Sequence, residues 1–116
     1  MQIHYQRSIA DVSWESVQQL FQAVDWPKRD LGELMSAFTK SSFVRFAFHQ
    51  KKIIGCGRTV DDGFYYGMIV DLIVDPEYQC KGIGSAILRQ LSLEMKPFYS
   101  VILTAAPGKE DFYIKT

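Results

Sequence analysis

The sequence predicts an α/β chain (α+β in arrangement): a mixed, mostly antiparallel central sheet flanked by helices, in one domain over residues 1–116. Three observations carry that reading. Residues 43–74 hold three β-type runs separated by polar turns, which is a meander. Across residues 68–96 the apolar spacing changes from that of a strand to that of a helix, with glycines at the change. A short apolar run, 101–105, follows the helix and places a strand parallel to the one before it by a crossover. The length of 116 residues fits one domain, and 47% hydrophobic residues suffice for a core.

The elements follow in order. Ile3–Gln6 reads as a short strand. Asp11 or Ser13 caps a helix that carries Val17, Leu20, Phe21 and Val24 on one face. Trp26-Pro27 ends it, because the residue before proline is pushed out of helical geometry. Asp30 opens a second helix, with Glu33 placed as in a capping box and Leu31, Leu34, Met35 and Phe38 as its apolar stripe. Residues 43–49, 53–60 and 65–74 are the meander, with Gly55 and Gly57 marking bends and Asp61-Asp62-Gly63 a turn. Pro97 breaks the next helix, Pro107-Gly108 turns the strand 101–105, and residues 110–115 start a last helix.

Thirteen basic residues balance thirteen acidic ones, so bulk attraction to nucleic acid or to an anionic membrane is not expected. The two cysteines, Cys56 and Cys80, have neither metal-ligand spacing nor the number for a disulfide framework. No metal is expected, and a reduced, cytoplasmic setting is. The N-terminus lacks the apolar stretch of a secretion signal, and no apolar run is long enough to span a bilayer.

The chemistry concentrates in Gln79-Cys80-Lys81-Gly82-Ile83-Gly84-Ser85, between the strand and the helix with Ile83, Ile87, Leu88, Leu91 and Met95 on its apolar face. Glycines let an oxygen-rich ligand approach the backbone, and a helix start offers unpaired N–H groups and a positive dipole end. Lys81 adds a charge. The site so built is one for phosphate. A dinucleotide fingerprint fails, because Ile87 stands where a third small residue belongs, and no Gly-Lys-Ser/Thr is present for a nucleotide loop.

That loop, with Leu72-Ile73-Val74-Asp75-Pro76 before it, closely resembles the pyrophosphate-binding signature of the GNAT superfamily of acyl-CoA N-acyltransferases: Gln or Arg, two variable residues, Gly, one variable residue, then Gly or Ala. The resemblance implies acetyl-CoA as co-substrate. Its pyrophosphate would sit at Gln79, Cys80, Lys81, Gly82, Ile83, Gly84 and Ser85, and its pantetheine arm on the backbone of Leu72, Ile73 and Val74. The pairing requires the strand to splay from its neighbour. The resemblance also places Tyr113 near the CoA sulfur as general acid. A phenol suits that task, since its reference pKa of about 10 exceeds that of a thiol.

Asp71 is the candidate proton acceptor. Strand alternation sends it to the face opposite Leu72 and Val74, where a carboxylate must find a proton, a cationic substrate or a basic partner. Glu33, Asp61, Asp62 and Tyr66 are weaker candidates, and His4 and His49 read as surface residues. The implied function is direct acetyl transfer to a primary amine: a small amine, a protein N-terminus or a lysine side chain. A CoA-binding or regulatory module without turnover is the alternative. A third reading, acetylation of aminoacyl-tRNA, is disfavoured by the balanced charge.

The segment 111–116 resembles the family stretch that precedes two further strands. The expectation from the sequence is therefore a sheet with an unpaired edge beside 101–105. That edge would be covered by homodimerisation or by a longer chain.

Overall fold

The computed structural model describes residues 1–104 and the backbone of residues 112–115. One six-stranded sheet organises it. Its strands are β1 (Ile3–Gln6), β2 (Val44–His49), β3 (Lys52–Asp61), β4 (Tyr66–Val74), β5 (Ser100–Leu103) and β6 (Phe112–Lys115), lying side by side in chain order. Every neighbouring pair is antiparallel except β4 with β5.

Helices α1 (Trp14–Ala23) and α2 (Leu31–Lys40) cover one face of the sheet. The Ser13 hydroxyl accepts from the Ser16 N–H and the Asp30 carboxylate from the Glu33 N–H, so local capping sets both helix starts. Phe21, Phe38 and Phe46 pack at the centre of that layer and are fully buried. Helix α1 ends at Ala23, before Trp26-Pro27, because Val24 closes it and Asp25 turns left-handed at φ 65°.

Helix α3 (Ile83–Glu94) covers the opposite face with Ile83, Ile87 and Leu91. It lies close to β3. A Cβ on Gly57 would come within 3.0 Å of Ile87 Cγ2 and 3.1 Å of Leu91 Cδ1, and one on Gly55 within 3.3 Å of Ile87 Cδ1. The two glycines expected as bends thus also serve as the seat of a helix. The far end of α3 is anchored by Glu94, which pairs with the buried Arg45 and with Arg7, each at 2.6 Å. No helix among the described residues is long and apolar enough to cross a membrane.

The end of the chain departs from expectation. Residues 112–115 are not a helix but a strand, antiparallel to β5 with Ile102 opposite Tyr113 and Leu103 opposite Phe112. Phe-Tyr-Ile is a strand-favouring run, and β5 offers it a free edge. Residues 112–115 therefore pair with the edge beside 101–105 that the sequence left open. The expected turn at Pro107-Gly108 lies outside the described residues.

Candidate functional site

The site begins where β4 loses its neighbour. The parallel ladder with β5 runs from Tyr66 opposite Ser100 to Ile69 opposite Leu103. Thr104 adds one further N–H bond to the Ile69 carbonyl at 3.0 Å. Past Ile69, β4 has no ladder partner on that side among the described residues, while Ile73 and Val74 still pair with β3 on the other. An unladdered edge in a partly buried strand needs partners for its N–H and C=O groups.

Beyond β4 the chain makes a single 3-10 turn at Pro76–Tyr78, capped by Asp75, and then the glycine loop. The Gln79 amide donates back to the Val74 carbonyl at 3.0 Å and holds the loop to the strand end. Cys80 and Gly82 both adopt left-handed backbone, φ 63° and 81°. Gly82 is the N-cap of α3, and neither a side chain nor an acidic residue satisfies the first turn. The unpaired N–H groups and the dipole end therefore remain available to an anion.

A Cβ on Gly82 would meet nothing within 4 Å, so it is the backbone angle that requires glycine there. Gly84 differs. Its Cβ would make only an ordinary 3.5 Å contact with Val74 Cγ2, and its φ is not left-handed, so the fold itself does not demand glycine at 84.

These elements enclose a cavity of about 460 Å³. Of the residues expected to bind cofactor, Leu72, Ile73, Val74, Gln79, Cys80, Gly82, Ile83, Gly84 and Ser85 line it. Lys81 does not; its side chain is exposed. The sequence reading missed Val24, Trp26, Tyr78, Leu103 and Thr104, which also line the cavity. Tyr78 hydrogen-bonds His49 Nδ1 at 2.8 Å, so His49 is a half-buried partner of the cavity wall and not a plain surface residue.

Asp71 lies on β4 beside the cavity. It adopts φ 54°. In the ladder Ile73 faces Cys56 and Val70 faces Arg58, so Asp71 and Leu72 together oppose Gly57 alone. That is a β-bulge, and aspartate is among the few residues that tolerate its left-handed angle. The carboxylate turns to the α1–α2 face, where Arg29 Nη1 at 2.9 Å and Arg58 Nε at 2.8 Å both donate to Oδ2. It is 5% exposed.

A carboxylate so engaged serves as counter-charge to two guanidiniums, and this geometry does not favour the free proton acceptor that the sequence reading proposed. A lone charge in an apolar strand was the available signal that a cation must meet it. The partners themselves come from 42 and 13 residues away.

Cys56 lies behind the bulge, its thiol 3.5 Å from the Asp71 carbonyl. Burial, and then the Asp71 carboxylate, push that thiol well above the usual range, so it stays protonated.

The weaker candidates do not converge on the cavity. Asp61 accepts hydroxyl bonds from Ser42 and Thr59. Asp62 caps the β3–β4 hairpin through the N–H groups of Phe64, Tyr65 and Tyr66. Glu33, Tyr66 and His4 are exposed. Among the described residues no group of three His, Cys, Asp or Glu is placed to hold a metal. Tyr113 is described by its backbone alone, opposite Ile102.

The sequence profile of the Acetyltransferase (GNAT) family matches residues 8–107. The chain belongs to the GNAT acetyltransferase family. Histone acetyltransferase TAP1 of Glycine max is 31% identical over 117 residues, covering 89% of this GNAT chain and 50% of that protein. The chain thus spans about half the length of this curated relative. Among solved structures, the GNAT family acetyltransferase SP0256 from Streptococcus pneumoniae superposes with a TM-score of 0.78 at 31% identity, covering 93% of this chain and 79% of that one. A GNAT family acetyltransferase from Elizabethkingia anophelis, solved with acetyl-CoA bound, shares the fold with a TM-score of 0.67 at 20% identity, over 92% and 67% of the two chains.

Proposed function

We propose that this GNAT chain binds acetyl-CoA and transfers its acetyl group directly to a primary amine. The observation that carries the reading is the junction of an unladdered β4 edge with the uncapped start of α3 across one cavity. The first offers backbone groups to an amide-bearing arm, and the second offers N–H groups to a pyrophosphate. Gly84, which the fold does not require, fits a backbone that a ligand approaches closely. The Elizabethkingia relative, which holds acetyl-CoA on the same fold, supports the choice of co-substrate.

In the transfer the amine nitrogen attacks the thioester carbonyl carbon. The N–C bond forms, the C–S bond breaks, the nitrogen loses a proton to water or a base, and the thiolate gains one. Tyr113 is proposed as the donor of that last proton. Tyr113→Phe is expected to lower kcat by about a hundredfold, within the usual range for acid–base groups, with CoA affinity kept. Wild-type turnover of the variant into the alkaline range would remove the assignment.

The engagement of Asp71 by two arginines favours a second reading, a CoA-binding module without turnover. Calorimetric titration with CoA tests both readings. Thiol release from acetyl-CoA across an amine panel separates them. A protein that fails to bind CoA would refute the two together.

A further inference from the structure

The segment between α1 and α2 carries more hydrogen-bonding capacity than its pairing within the fold uses. Arg29 spends one nitrogen, Nη1, on Asp71. Its guanidinium lies against two aromatic rings that meet each other edge to face, 4.3 Å from the Phe21 centroid and 5.1 Å from that of Trp26, which itself lines the cavity. The Gln18 amide holds the Arg29 carbonyl at 2.7 Å. The group is thus fixed in place and 31% exposed, and Nε and Nη2 have no hydrogen-bond partner among the described residues.

Asp71 is shared with Arg58, so the cluster holds two positive charges and one negative. Arg29 also lines a surface depression with Gln18, Lys28, Asp30 and Leu31. There Lys28 adds a positive charge and Asp30, the cap of α2, a negative one, so Arg29, Arg58 and Lys28 stand against Asp71 and Asp30. The excess is positive, and a rigid guanidinium with free donors is the form in which proteins recognise carboxylates.

We infer that Arg29 receives a carboxylate carried by the acceptor, so that this site selects small amines that bear one, amino acids above all, over amines that do not. The inference rests on the acetyltransferase reading and names its substrate class. Asp71 keeps Arg58 when Arg29 is replaced, so the buried carboxylate stays paired and the variants are expected to fold.

The experiment has two arms. In the first, thiol release from acetyl-CoA is measured with a panel of L-amino acids and the matching amino-acid amides. The best acid is expected to exceed its amide by about tenfold or more, the effect of one charged hydrogen bond, and mainly through KM. Arg29→Gln is expected to erase that preference, and Arg29→Lys to keep part of it. The second arm needs neither CoA nor turnover. Binding of N-acetyl-L-alanine and N-acetyl-L-alaninamide to the protein is followed by NMR chemical shifts, with the acid expected to bind more tightly and to lose that advantage in Arg29→Gln.

Equal use of acids and amides, or a preference that survives Arg29→Gln, would overturn the inference. Binding of the acid in the second arm, with no CoA binding, would leave Arg29 as a carboxylate site and refute the acetyltransferase reading instead.

Discussion

Replacing Gly84 by valine separates ligand binding from folding at the glycine loop. A Cβ there meets only Val74 Cγ2, at 3.5 Å, and the backbone angle is an ordinary helical one. The fold should accept the side chain. A helical position gains by losing glycine, by up to about 1 kcal/mol for alanine and less for a β-branched residue. Binding should not accept it. The branched side chain adds bulk at the first turn, where the phosphate is proposed to sit, and each charge-assisted hydrogen bond to phosphate that is lost costs about 1.5–3 kcal/mol, or roughly tenfold to 150-fold in Kd.

Gly84→Ala should be nearly silent, because the signature this loop resembles takes glycine or alanine at that place. Gly82→Val is the contrasting case. At φ 81° a side chain costs about 1–2 kcal/mol of backbone strain, so that variant should lose stability as well as affinity. Calorimetric titration with CoA and urea unfolding of the same four proteins read both quantities. Wild-type CoA affinity in a folded Gly84→Val would refute the placement of phosphate at this loop.

Three further outcomes are expected. Asp71→Asn leaves two guanidiniums without their counter-charge and should destabilise the fold by about 3 kcal/mol, visible in the urea midpoint. A wild-type midpoint would contradict the pairing. Gly57→Ala drives a methyl against Leu91 Cδ1 and against Ile87 Cγ2, which sits on a stiff β-branched stem, and should cost about 1–3 kcal/mol as overpacking. The same unfolding measurement checks it. The amide donors of Tyr65 and then Phe64 hold the Asp62 carboxyl below its ordinary value of 3.8. Its contribution is therefore present above that value and is lost as pH falls through the lower, folded one. A Tm series from about pH 5 to about pH 2 should show a shallower acid decline in Asp62→Asn than in the wild type.

What could be read in advance was local. Ser13 and Asp30 each announce a helix by a hydrogen bond that closes within three residues. The glycine loop and its flanks are contiguous, so nine of the ten expected cofactor residues fall on one cavity. What escaped depends on partners far along the chain. Gly55 and Gly57 looked like bends because nothing nearby shows that Ile87 and Leu91 pack on them. Asp71 looked like a candidate base because Arg29 and Arg58 reach it only once α1, α2 and β3 are assembled. Residues 110–115 looked like the start of a helix because the edge of β5 that recruits residues 112–115 exists only in the sheet. Arg58 itself was legible in principle: a cation in the strand beside the one with the lone acid is its nearest available partner.

The bulge at Asp71 also marks the one place where β4 could lose a residue without losing its register. Two residues there answer to one on β3, and this offset is what puts Leu72 and Val74 on the α3 face and Ile73 on the other. Loss of one codon between Val70 and Leu72 would restore unbroken alternation while keeping every remaining side chain. Leu72, Ile73 and Val74 would then keep both their faces and their partners on β3, and what would be lost is the Asp71 carboxylate with its contacts to Arg29 and Arg58. The bulge is thus one residue more than the ladder of β4 needs, carried for the carboxylate it aims at two guanidiniums.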